Sequence, residues 1–324
     1  MDNIIEIKNF TVQYKTDERT VEAVNRLNLT LARGESLGLV GETGAGKTTT
    51  ALGIMGLIPD PPGIVTEGEI IFEGEDLLKM SKNKIRTVRG KKISMIFQDP
   101  MTSLNPVVTV GDQIAESIRI HEKLSRADAT IKAKEMLELV GIPGERYAEY
   151  PHQFSGGMKQ RVIIAIALSC NPELILADEP TTALDVTIQA QVLDLIAKLK
   201  KEQNTSMILI THDLGVVVEV CDKVAIMYAG EIVEYGSLTQ IYDNTCHPYT
   251  KGLFSSIPDL ESKADRLNPI PGLMPDPANL PEGCSFEPRC TCSFERCKIN
   301  NPHMVEVDTG HFVKCFNFVK GGNE

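Results

Sequence analysis

The stretch Gly41-Glu42-Thr43-Gly44-Ala45-Gly46-Lys47-Thr48 narrows what this chain can become more than any other. It follows a short apolar run, Leu37-Gly38-Leu39-Val40, that reads as a buried strand. It leads into Thr48 to Leu57, which reads as a helix ended by Pro59, Pro61, Pro62 and Gly63. A G-x-x-x-x-G-K-[ST] pattern between strand and helix is a phosphate-binding loop. Its glycines let backbone N–H groups approach phosphate oxygens with no Cβ in the way, and the helix N-terminus adds partial positive charge. Lys47 can reach β- and γ-phosphates, Thr48 can ligate Mg²⁺, and Thr49 follows in the same turn.

Strand and helix patterns alternate downstream: strand at Leu174 to Ala177, helix at Val186 to Leu199, strand at Met207 to Ile210, helix at Asp213 to Val220. Val224 to Tyr228 and Glu231 to Tyr235 read as a hairpin around Ala229-Gly230. Such alternation predicts a parallel sheet with helices packed on it. Upstream, Ile4 to Val12, Val21 to Leu31, Ile70 to Phe72 and Ile93 to Phe97 are strand candidates. Between about 99 and 170 the pattern turns helical, with Ile114, Ile118, Ile131, Met136, Leu137 and Val140 at helical spacing and a helix from Gly157 to Leu168. After about Pro248, prolines crowd together and Cys284, Cys290, Cys292, Cys297 and Cys315 follow. This tail is loop-rich and poor in core, so it needs a staple.

Lys plus Arg number 33 against 44 Asp plus Glu, a net charge of -11, which argues against a broad nucleic-acid-binding face. No run approaches the roughly eighteen apolar residues of a membrane span, and Met1 to Glu6 has no leader-like pattern. The expectation is a cytosolic chain, in which eight cysteines are not structural disulfides. Cys170, Cys221 and Cys246 are expected to be ordinary buried residues.

Leu174-Ile175-Leu176-Ala177-Asp178-Glu179 is an apolar strand ending in two carboxylates. Asp178 suits an Mg²⁺ partner beside the phosphate loop, and Glu179 suits polarising an attacking water. Phe154-Ser155-Gly156-Gly157-Met158-Lys159-Gln160-Arg161 resembles the signature motif of ATP-binding cassette (ABC) ATPases, with Met158 where glutamine is usual. In that family Ser155, Gly156 and Gly157 would contact the nucleotide held by a second subunit. Gln98 matches the family's Q-loop, Ala183-Leu184-Asp185 its D-loop and His212 its switch histidine. Tyr14 is the candidate for stacking on adenine. Gln98-Asp99-Pro100-Met101-Thr102-Ser103-Leu104-Asn105-Pro106, Tyr150-Pro151-His152-Gln153-Phe154 and His247-Pro248-Tyr249-Thr250 look like the branch serving dipeptide, oligopeptide and nickel importers.

The resemblance implies an α/β P-loop ABC ATPase, a RecA-like core with β and helical subdomains, over 1–247, and a cysteine-rich extension over 248–324. It implies ATP and Mg²⁺ held by the loop, Gln98 and Asp178, with Glu179, His212 and Gln98 acting on the γ-phosphate. It implies a peripheral protein on the cytoplasmic face of the membrane that powers di- or oligopeptide import. Its partners would be a second, distinct ATPase subunit, two permease subunits and, indirectly, a substrate-binding protein. Nickel cargo and a non-transport ABC ATPase are the competing readings. The spacing Cys284-x5-Cys290-x6-Cys297-x17-Cys315 lacks the paired knuckles of zinc ribbons, and four thiolates suit zinc or an iron–sulfur cluster. In this branch that spacing goes with a [4Fe-4S] cluster, and Cys292 falls outside it.

Overall fold

The computed structural model describes residues 2–181, 185–256 and 270–319. The chain opens with β1 (Asn3–Lys15), β2 (Thr20–Ala32) and β3 (Ser36–Val40), passes through the glycine loop into α1 (Lys47–Met55), and returns as β4 (Gly63–Phe72) and β5 (Glu75–Asp76). After α2 (Lys82–Val88) and β6 (Ile93–Ile96) come α3 (Pro100–Ser103), α4 (Val110–Glu122), α5 (Arg126–Leu139) and α6 (Gly156–Leu168). Alternation follows: β7 (Leu174–Asp178), α7 (Val186–Gln203), β8 (Ser206–Thr211), α8 (Leu214–Val220), β9 (Lys223–Tyr228) and β10 (Glu231–Ser237). The remainder holds α9 (Leu238–Asp243), α10 (Pro248–Ser255), α11 (Glu295–Ile299), β11 (Val305–Asp308) and β12 (His311–Val313).

An antiparallel sheet has the order β2-β1-β4-β5, and a larger mixed sheet has the order β11-β12-β10-β9-β3-β8-β7-β6. From β9 to β6 the larger sheet is parallel. Its strands are buried on both faces, which is why they read as continuous apolar runs. Successive residues still divide between two cores. Met207 and Leu209 face the helical insertion, whereas Ile208 and Ile210 face the antiparallel sheet. Parallel strands end on one edge, so Val40, Ile96, Asp178 and Thr211 deliver the loops that follow them to a common rim.

Between 99 and 170 lie α3 to α6, and the stretch from Val110 to Val140 that reads at helical spacing forms two helices, α4 and α5. Lys123 takes a left-handed φ of 55° at the end of α4, and the Ser125 hydroxyl caps α5 by accepting from the Asp128 N–H. Ile131 departs from the expected stripe and is exposed. The buried stripe of α5 runs through Ala129, Ala133, Met136 and Leu137, and Ile131 lies about 200° around the helix from Ala129. Helix α1 also stops earlier than the prolines suggest. Gly56 closes it in the left-handed conformation, its N–H meeting the Gly53 and Leu52 carbonyls. The tail is loop-rich but carries strands that its sequence pattern hides. β12 pairs with β10, matching Glu234 with Val313, and β11 pairs with β12.

Candidate active site

The glycine loop turns tightly between β3 and α1. Gly44 and Gly46 have φ of 85° and 103°, which residues with a Cβ rarely adopt. A Cβ on Gly46 would also stand 2.3 Å from the Ala23 carbonyl oxygen. Lys47 is buried and donates from Nζ to the carbonyls of Gly41 (2.7 Å) and Glu42 (3.0 Å). Burial lowers its pKa, against the pull of Glu179, Asp178 and Glu42. Thr48 donates from Oγ1 to Asp178 Oδ1 at 3.3 Å, joining α1 to the end of β7. Burial raises the Asp178 pKa, with the Thr48 hydrogen bond opposing it. Two hard oxygen donors beside a buried lysine suit a cation such as Mg²⁺.

Glu179 is the centre of a second group. Gln98 donates from Nε2 to Glu179 Oε2 at 2.8 Å, and His212 Nδ1 lies 3.0 Å from Glu179 Oε1. These three side chains come from the ends of β6, β7 and β8, so the parallel topology assembles them. The arrangement holds a carboxylate between an amide and an imidazole beside a phosphate-binding loop. It can take a proton from a water lined up on a terminal phosphate.

Other sequence candidates stand apart on their own elements. Ser155 is exposed and caps α6, accepting from the Met158 N–H. A Cβ on Gly157 would stand 2.5 Å from Ile188 Cγ2, so this turn abuts α7. Asp185 caps α7 by accepting from the Ile188 N–H at 3.0 Å. Ala183 and Leu184 lie outside the described residues. Tyr14 is half-buried near the end of β1, opposite Gly63 on β4, and packs on the core shared by the two sheets.

Sequence reading missed the tail's reach to the loop. Arg289 grips Glu42 in two bonds, Nη1 to Oε2 at 2.9 Å and Nη2 to Oε1 at 3.1 Å. The Glu42 N–H donates to the buried Tyr249 hydroxyl at 3.0 Å. Tyr249 belonged to a recognised motif but had no role attached, and no periodicity signals Arg289.

Cys284, Cys290, Cys292, Cys297 and Cys315 line one small cavity with Phe286, Phe294 and Phe316. Burial, with repulsion from neighbouring thiolates, pushes the Cys284 thiol up to about 12. Five thiols, the four of the expected set and Cys292, border this common space, and soft donors of this kind are those that hold thiolate-bound metal groups. Cys292 is exposed but borders the same cavity. Cys170 and Cys221 are buried as expected, whereas Cys246 is only half-buried.

The parallel sheet, glycine loop and converging carboxylates define a P-loop nucleoside triphosphatase of the cassette type. Residues 24–182 match the ABC transporter family, and residues 233–297 match the family described as the oligopeptide/dipeptide transporter C-terminal region. The chain belongs to the ATP-binding subunits of the dipeptide/oligopeptide ABC transporter family. It is 51% identical to the oligopeptide transport ATP-binding protein OppD of Bacillus subtilis, over 96% of this chain and 88% of that protein. It is 47% identical to that organism's dipeptide transport ATP-binding protein DppD, over 98% and 95%. A solved dimer of the ATP-binding cassette MJ0796 with ADP and Pi has a TM-score of 0.65 at 29% identity, covering 72% of this chain and 98% of the other. No helix among the described residues is long and apolar enough to cross a membrane.

Proposed function

We propose that the chain is the ATP-hydrolysing subunit that powers uptake of di- and oligopeptides through a membrane permease. The observation that carries the cargo is the match of residues 233–297 to the oligopeptide/dipeptide C-terminal region. The subunit lies on the cytoplasmic face of the membrane. It pairs with a second, related ATPase chain and docks on two permease subunits fed by a substrate-binding protein. The nucleotide-binding part spans 1–247, with a helical subdomain near 99–170, and 248–324 is the extension.

The loop from Gly41 through Thr49 cradles the phosphates with its backbone N–H groups, except that of Glu42, which donates to Tyr249, and Lys47 leaves the Gly41 and Glu42 carbonyls to reach the β- and γ-phosphates. Thr48, Asp178 and Gln98 are the residues that hold Mg²⁺, which when bound supplies charge neutralisation on the phosphates. Glu179 takes the proton of the attacking water. His212 contacts the γ-phosphate, and Gln98 and His212 aim the carboxylate that both touch here. Tyr14 stacks on adenine. Ser155, Gly156 and Gly157 close over the nucleotide of the partner subunit, and Asp185 lies at the crossing between the two.

Cys284, Cys290, Cys297 and Cys315 would hold a [4Fe-4S] cluster that staples the tail.

Uptake by the reconstituted complex tests the function. ATP-dependent accumulation of labelled peptide supports it, and accumulation of nickel alone overturns the cargo.

A further inference from the structure

The tail is a wall of the phosphate loop, not only an appendage to the sheet. From 270 to 289 it runs across the loop in a series of fixed points. Ile270 packs where a Cβ on Gly252 would be, 2.7 Å away. The Pro271 carbonyl accepts from Arg289 Nε at 3.0 Å. The Met274 methyl stands 3.1 Å from where a Gly44 Cβ would be, over the loop itself. The Pro277 carbonyl accepts from the Glu22 N–H at 2.9 Å.

Glu42 is held at every polar group. Arg289 binds its carboxylate at both oxygens, Tyr249 takes its N–H, and Lys47 donates to its carbonyl. The Arg289 side chain is only 5% exposed, whereas the Glu42 side chain is 31% exposed, so the pair is buried on the arginine side and partly open to solvent on the other. The Glu42 carboxylate also acts electrostatically on Lys47, less than Glu179 and Asp178 do. Unpaired, it would face an incoming polyphosphate with the wrong charge.

We propose that Arg289 is a positioning residue for ATP: it cancels the Glu42 charge and fixes the second residue of the phosphate loop. The proposal rests on the reading that this loop binds ATP. Arg289 acts through Glu42, which distinguishes it from a residue that touches the phosphates.

The experiment measures Mg-ATP affinity of the full chain with a fluorescent ATP analogue, and KM and kcat in the reconstituted complex. Arg289→Gln is expected to weaken affinity about tenfold, an effect on KM with little on kcat, because the lost interaction is uniform to ground and transition states. Arg289→Lys recovers part of the loss, keeping the charge without the two-pronged grip. Glu42→Gln tightens binding, and Glu42→Gln with Arg289→Gln binds much better than Arg289→Gln alone. An unchanged KM in Arg289→Gln, or a double variant no better than it, overturns the proposal. Should Arg289→Gln fail to fold, weaker binding by Glu42→Gln overturns it equally. Failure of the wild-type chain to bind Mg-ATP would instead remove the underlying reading of the loop.

Discussion

Glu179 holds a φ of 45°, in a region that costs a residue with a Cβ about 1–3 kcal/mol. Its N–H donates to the Ile210 carbonyl of β8 at 2.8 Å, so the neighbouring strand enforces the turn. The turn carries the carboxylate from the sheet edge to Gln98 and His212. A strained turn here fits a group that must be aimed rather than merely buried. Glu179→Gln keeps the size and loses the proton acceptor. Mg-ATP binding is expected to persist while phosphate release in a single-turnover assay falls by at least about 100-fold. Turnover within a few-fold of wild type would remove Glu179 as the base.

Among the elements, β10 joins the tail to the cassette, and Glu234 is its fastening point. The carboxylate is fully buried and accepts from the Cys246 N–H (2.7 Å), the His247 N–H (3.0 Å) and His311 Nε2 (2.9 Å). It thus ties β12 to the start of α10. The donor atoms of Glu234, Cys246 and His311 lie within 4.8 Å of one another, but the carboxylate oxygens are already occupied by N–H donors, which marks a staple. Glu234→Ala strands those donors and is expected to cost about 3–5 kcal/mol, read as a lower urea midpoint. A midpoint within error of wild type would contradict it. The same contrast separates what was readable in the sequence from what was not. The glycine loop is readable because its eight residues are contiguous. Glu179 is readable because it ends an apolar strand beside a second carboxylate, whereas Gln98 and His212 are readable only through the family resemblance, and parallel strands bring all three to one rim. The β11–β12 hairpin is not, since Val305–Asp308 alternates only half-buried and exposed residues and β12 spans three residues. Nor is the Glu42–Arg289 pair, whose members are 247 positions apart, because periodicity says nothing of which distant strands meet.

On the scale of the whole molecule, one chain combines a nucleotide site and a thiol-lined cavity, joined by Arg289, which immediately precedes Cys290. Anaerobic purification is expected to yield equal iron and sulfide, with broad absorbance lost in Cys290→Ser or Cys297→Ser. One zinc per chain without iron would replace the cluster with a zinc staple and leave the ATPase reading intact. The join between the two regions also bears on how the protein is made. Synthesis runs from Gly41 to Arg289, and domains begin to fold as they emerge. Until Arg289 emerges, the phosphate loop carries an unmatched carboxylate, and until β12 follows, β10 lacks its outer neighbour. Completion of the nucleotide site therefore comes late in translation, and a chain halted before that point would carry the motifs without their finished geometry.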